Sequence, residues 1–330
     1  MLPKDTRARA KDKRANWLPD PELMALKPVI SGNTINGVGE EDVRRPSPVY
    51  WQDPDTIHHG KMQQWFGSQD MIAEIGKISK ARDDIMAKPL VETAELRNEN
   101  PASEWFLDVE RIAIDAGADM IGVARFDPSW VYDTKKAPAF KNIIMLVVEQ
   151  NYERMCHAPE QTAGAEVLSQ YCRSLIAARS LTNWIRQQGW DAEPHGSPTP
   201  ATFTMIPPAI AAGLGELGKH GSMINRKYGA NFRLAAVLTD LPLPPTKPDI
   251  FGADAFCQSC RVCEDACPPR AIAADKQLVR GTTRWSVDFD KCQPFFNEHI
   301  GCSICTTLCP WSLPGITEKL IVKMAARMER

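Results

Sequence analysis

The chain has 330 residues, enough for one large core or two domains, and its 39 Lys and Arg against 41 Asp and Glu leave a net charge of −2. That balance implies no nucleic-acid partner. Hydrophobic residues make up 43%, an ordinary share for a globular protein, and the longest apolar stretch, Ile143 to Val148, is far too short to span a bilayer.

The first residues, MLPKDTRARAKDKRANWLPD, are basic and polar with no apolar segment behind them. They do not read as a secretory signal, and we expect a solvated arm. Arg44-Arg45 is a twin arginine, but Pro46 and polar residues follow it. A cytoplasmic protein is expected, which also suits free thiols.

Residues 1–100 read as a partly irregular N-terminal extension, with a helix near Met71–Ala87. Glu104–Ala116 has apolar residues at helical spacing behind Ser103, a suitable N-cap. Asp119–Phe126 and Asn142–Val148 read as buried strands. Over 163–189, Val167, Tyr171, Leu175, Ala178, Leu181 and Ile185 recur at the helical period. On that period alone Tyr171 is a core ring. Ala209–Leu214 reads as a short helix ended by glycine, and Arg233–Leu241 as a third buried strand. Pro242, Pro244 and Pro245 then begin a linker. This order predicts an α+β core over 101–250, a cysteine-rich domain over 251–315 and a tail over 316–330.

The segment Ala211–Asn225, AAGLGELGKHGSMIN, holds Gly213, Gly215, Gly218 and Gly221. Glycines this dense let backbone approach a bulky ligand. The G-x-G-x-x-G spacing is a poor dinucleotide fingerprint, because the preceding TMIPPAIA contains two prolines and is no strand. A loop of tight turns is the plainer alternative.

Eight of the ten cysteines fall in two runs. Cys257, Cys260, Cys263 and Cys267-Pro268 give C-x-x-C-x-x-C-x-x-x-C-P, the two-cluster ferredoxin pattern. Cys292, Cys302, Cys305 and Cys309-Pro310 form the second run, with nine residues between its first two cysteines. Three thiolates wrap one cubane and the cysteine before proline reaches the other cluster. One [4Fe–4S] cluster is therefore assigned to Cys257, Cys260, Cys263 and Cys309. The other takes Cys267, Cys292, Cys302 and Cys305. Zinc sites use paired cysteines instead. A disulfide framework does not fit this spacing. Cys156 and Cys172 are expected as small buried residues.

These stretches resemble the reductive dehalogenases. The resemblance is carried by 211–243, by FCQSCRVCEDACPPRAI (256–272) and by TRWSVDFDKCQPFFNEHIGCSICTTLCPW (283–311), and it covers about 100–315. It implies a nitroreductase-like, corrinoid-binding core with the two-cluster ferredoxin-like domain appended. Epoxyqueuosine reductase, a corrinoid enzyme of tRNA modification, shares that core and is one alternative. A ferredoxin-like electron-transfer subunit is another. The long Cys292 spacing and the E-L-G-K-H-G wording favour the dehalogenase side.

The resemblance further implies a base-off corrinoid, since the chain has no D-x-H-x-x-G segment. It implies an organohalide substrate, such as a halogenated phenol. A separate electron donor, a ferredoxin or flavin reductase, is expected because the chain ends about 20 residues after Cys309. The family's proton-donating tyrosine maps to Tyr171 and its cationic partner to Arg233; Tyr152 and Tyr228 are the next candidates. A guanidinium beside a phenol favours the anion left after proton loss. Gly213, Gly215, Lys219, His220, Gly221, Ser222 and Asn225 are the expected corrinoid contacts. Substrate contacts are expected from the extension and from 194–206.

Overall fold

The computed structural model describes residues 3–196 and 201–328. Its strands are β1 (Met120–Arg125), β2 (Asn142–Glu149), β3 (Ala192–Gly196), β4 (Glu216–Leu217), β5 (Met223–Ile224), β6 (Phe232–Thr239), β7 (Gln277–Val279) and β8 (Thr282–Arg284). One antiparallel sheet has the order β1-β2-β6-β3. β4 with β5 and β7 with β8 form two small hairpins.

β2 is apolar along its length because both its faces are covered. Ile144 and Leu146 pack with Ala235 and Val237 of β6 under the helices Ala102–Asp115 and Gln161–Gln187. Ile143, Met145 and Val147 point the other way, onto Phe203, Leu214, Tyr228 and Leu238. The period of two along a strand makes that division. Burying one such aliphatic side chain stabilises the fold by about 1.5–3 kcal/mol.

The expected α+β elements are present with shifted ends. The helix after Pro101 begins at Ala102, so Ser103 lies inside it, and no side chain caps it. The short helix is Ile206–Ala211, earlier than expected, with prolines in its first turn. Proline is tolerated there because first-turn N–H groups have no partner within the helix. β3 had no clear pattern in the sequence. It carries Pro194 and pairs only with β6, an edge position where a missing donor costs little.

The basic N-terminus is not a solvated arm. Pro3–Asn16 is a helix that buries Ala10 against Met155, Phe295, Ile304 and Leu308. Thr6 Oγ1 donates to the Cys156 carbonyl at 2.6 Å, and Arg9 and Arg14 donate to the carbonyls of Cys156 and Asp265. The extension also contains the helices Gly60–Gly67 and Ala73–Met86. It runs along the cysteine-rich domain: Gly39 donates to Leu278 O at 2.7 Å, and Phe289 donates to Asn33 Oδ1 at 2.7 Å. No helix among the described residues is long and apolar enough to cross a membrane.

Candidate functional site

The cysteines gather as two sets, each drawing on both runs. Burial, then the neighbouring thiols Cys257, Cys263 and Cys260, push the Cys309 thiol up. Cys257 is pushed up to about 11 by burial first, with Cys260 adding to it. In the second set, burial and Cys267 push Cys292 up to about 12. Cys305 is likewise pushed up to about 12 by burial, then Cys267 and Cys292. Cys263 also feels Cys305, so the sets are neighbours.

Local structure explains the long gap in the second run. Cys292 rides on the helix Phe289–Glu298, whose N-cap Asp288 accepts from Lys291 N–H. The chain reverses after it, with Ile300, Gly301 and Ser303 all at positive φ. That reversal returns Cys302 and Cys305 towards Cys292.

Buried thiols held this way suit iron, which takes them as thiolates and neutralises them. Among the described residues no three His, Cys, Asp or Glu side chains are close enough to chelate one ion. The two sets of four thiols, each crossing between the runs, fit two [4Fe–4S] clusters. Lys219 N–H donates to Cys257 Sγ at 3.4 Å and Ala271 N–H to Cys267 Sγ at 3.3 Å. Hydrogen bonds to ligand sulfur are one determinant of cluster potential.

The second set opens onto a cavity of about 980 Å³, whose wall includes Cys267, Cys292, Cys302 and Cys305. His220, Gly221 and Ser222 of the glycine-rich segment form another part of the wall. That volume lies at the top of the range of small-molecule sites, about 300–1,000 Å³. From the extension, Tyr50 and Trp51 line it; from the stretch 194–206, Thr204 and Ile206 do, while 197–200 lie outside the described residues.

His220 is buried and pushed down to about 4 by that burial. Its Nδ1 accepts the Ser222 N–H at 3.2 Å, which places the proton of the neutral ring on Nε2. Nε2 has no partner among the described residues. That nitrogen is itself buried, close to Gly218, rather than exposed on the cavity surface. A corrinoid macrocycle rimmed by amide groups fits such a wall: backbone at Gly221, the Ser222 side chain and room for a large ring.

The other expected contacts stand elsewhere. Asn225 donates to Leu214 O at 2.7 Å and accepts from Lys227 N–H at 2.8 Å, tying its own loop together. Lys219 is buried, with Nζ 3.8 Å from Glu264 Oε2 and 5.1 Å from the Trp285 ring centroid. Gly215 has φ +145°, and a Cβ there would lie 2.1 Å from Ile224 O, so its role is the β4–β5 hairpin. Gly213 likewise sits off the wall, against Lys247 O.

Tyr171 is half-buried, not core, and is absent from the cavity wall. Arg233 is in the wall, and its guanidinium carbon lies 5.5 Å from the Tyr171 ring centroid. Arg233 Nε has no hydrogen-bond partner among the described residues. Tyr152 and Tyr228 donate to the carbonyls of Thr307 and Asp119, each at 3.3 Å, and neither lines the cavity. Tyr132, Arg280 and Arg284 line the wall as well. No motif marked them, because the β7–β8 hairpin that carries both arginines has no recognisable spacing. Cys156 and Cys172 are buried, as expected of small apolar residues.

A 4Fe-4S dicluster domain model matches residues 256–313. The chain is 30% identical over 312 residues to a tetrachloroethene reductive dehalogenase of Desulfitobacterium hafniense, covering 84% of this chain and 55% of that one. It thus spans about half the length of the curated relatives it matches. An epoxyqueuosine reductase of Xanthomonas campestris pv. campestris is 37% identical over 109 residues, 31% of this chain. In fold, the chain matches a solved reductive dehalogenase from work on B12-dependent dehalogenation, with TM-score 0.73 and 19% identity, over 98% of this chain and 49% of that one.

Proposed function

The chain belongs to the reductive dehalogenase family, and we propose that it replaces a halogen of an organohalide, such as a ring-halogenated phenol, with hydrogen. Two electrons and one proton enter, and halide leaves. One observation carries the reading: the cysteine set Cys267, Cys292, Cys302 and Cys305 and the guanidinium of Arg233 share the wall of one large cavity. Reducing equivalents and a cationic group therefore meet where a substrate and a corrinoid have room. The dehalogenase relatives support the same chemistry.

Residues 220–222 would hold the corrinoid, which supplies the low-valent metal centre that cleaves the carbon–halogen bond. The Nδ1 lone pair of His220 is taken by the Ser222 N–H and its Nε2 is buried, which supports a corrinoid that has lost its own lower base and takes no histidine from the protein. Tyr171 Oη gives its proton to the carbon that loses halide, and Arg233 offers the resulting phenolate a counter-charge. Electrons come from a separate ferredoxin- or flavin-type donor through the first cysteine set, where Cys260 is partly exposed.

The test is an electron paramagnetic resonance spectrum of corrinoid-loaded protein with and without bromide. A cobalt signal that bromide splits agrees with halide reaching the metal. A signal indifferent to halide moves the reading to epoxide reduction, and no cobalt signal under good corrinoid supply leaves an electron carrier.

A further inference from the structure

The cavity wall has an uncompensated charge. Arg233, Arg280 and Arg284 line it, and no Asp or Glu does. Among the described residues the Arg284 side chain has neither a hydrogen-bond partner nor an ion pair. Arg280 reaches only the Asn36 carbonyl. Glu40, the carboxylate whose charge acts on Arg280, is already held by Arg44 through two bonds of 2.8 and 2.9 Å.

Arg280 and Arg284 also repel each other. Burial, then the charges of Arg284 and Arg44, pull Arg280 down to about 10. Arg284 is lowered by burial too. Two guanidinium groups taken from water side by side are costly unless an anion joins them. The backbone agrees: Arg280 has φ +47° and precedes Gly281 at +73°, the tight hairpin turn that favours Asn-Gly or Gly-Gly. An arginine at that first position needs a reason beyond the turn. The planar guanidinium fork matches carboxylate and phosphate oxygens. The Tyr132 hydroxyl, kept protonated by burial beside Arg280, adds a neutral donor.

We propose that Arg280 and Arg284 form an anion subsite in this cavity wall, taking a carboxylate or phosphate group of the bound molecule. Its two sources are a substrate carboxylate and the phosphate in the tail of a corrinoid. Only this choice of sources rests on the dehalogenase reading.

The experiment compares the loaded holoenzyme with R280Q/R284Q and R284Q at matched ionic strength. It reads the cobalt-to-protein ratio after gel filtration, and the dissociation constants of 3-chlorobenzoate and inorganic phosphate from quenching of Trp130 and Trp285, which line the cavity. Cobalt retention that falls at unchanged iron supports the subsite and names the tail phosphate. Unchanged cobalt with 3-chlorobenzoate or phosphate bound at least tenfold more weakly supports it and names the substrate. R284Q removes no contact that the fold uses, so it carries the test if the double variant loses iron. Cobalt and both dissociation constants unchanged in R284Q would overturn the proposal. A wild-type protein that releases no halide from any organohalide sinks the dehalogenase reading alone, since the binding readouts do not need turnover.

Discussion

Arg233 faces Tyr171 across 5.5 Å, joining the β6 strand to the Gln161–Gln187 helix at the edge of the cavity. Sixty-one residues of chain lie between the two.

Tyr171→Phe removes the hydroxyl and keeps the ring under Arg233. Dehalogenation should fall about 10²–10⁴-fold, with iron and cobalt content unchanged. Turnover near the wild-type rate in that variant would show that the proton comes from elsewhere.

The crossing of the fourth cysteines is open to direct reading. Cys309→Ser should remove the cluster held with Cys257, and Cys292→Ser the one at the cavity, each lowering iron by about half. The double variant should then lose both cluster signals. If Cys309→Ser and Cys302→Ser erase the same signal, the assignment is wrong.

His220 makes stability depend on pH. An unfolded histidine titrates near about 6.5, while the folded one is pushed down to about 4. Below about 6.5 the unfolded chain binds a proton that the folded chain refuses, so stability falls as pH drops towards about 4. The full effect is about 3 kcal/mol. His220→Gln should flatten this slope in denaturant titrations run at several pH values. An equal slope in both proteins would rule the histidine out.

Gly215→Ala puts a Cβ 2.1 Å from Ile224 O at φ +145°. The β4–β5 hairpin must then open, and we expect a loss of about 3 kcal/mol or more in urea melts. Gly67→Ala, where a Cβ meets nothing within 4 Å, is the matched control.

Ala10→Asp tests the N-terminal helix. A carboxylate at a site 1% exposed, against Phe295 and Leu308, should cost several kcal/mol and loosen the cysteine-bearing segment. Unchanged melting would return this helix to the role of a solvated arm.

Chemistry that depends on local spacing was legible in the chain by itself. The cysteine runs declare their ligand pattern because a cubane needs thiolates at short, fixed intervals. The runs in β2 and β6 announce buried strands because a strand covered on both faces must be apolar throughout. The helix holding Tyr171 was equally plain, yet its period placed that ring in the core, and only packing shows it half-buried under Arg233.

What the tertiary structure decided were the meetings between distant segments. Lys219 and His220 are adjacent in sequence, but one serves the Cys257 set and the other the cavity. The basic N-terminus folds back on the cysteine domain because one face of its helix is small and apolar enough to bury Ala10. Arg280 and Arg284 become a charged patch only when their hairpin closes over the extension, in a cavity wall that holds no carboxylate. Such roles depend on burial and on neighbours far away in the chain, which no local pattern records.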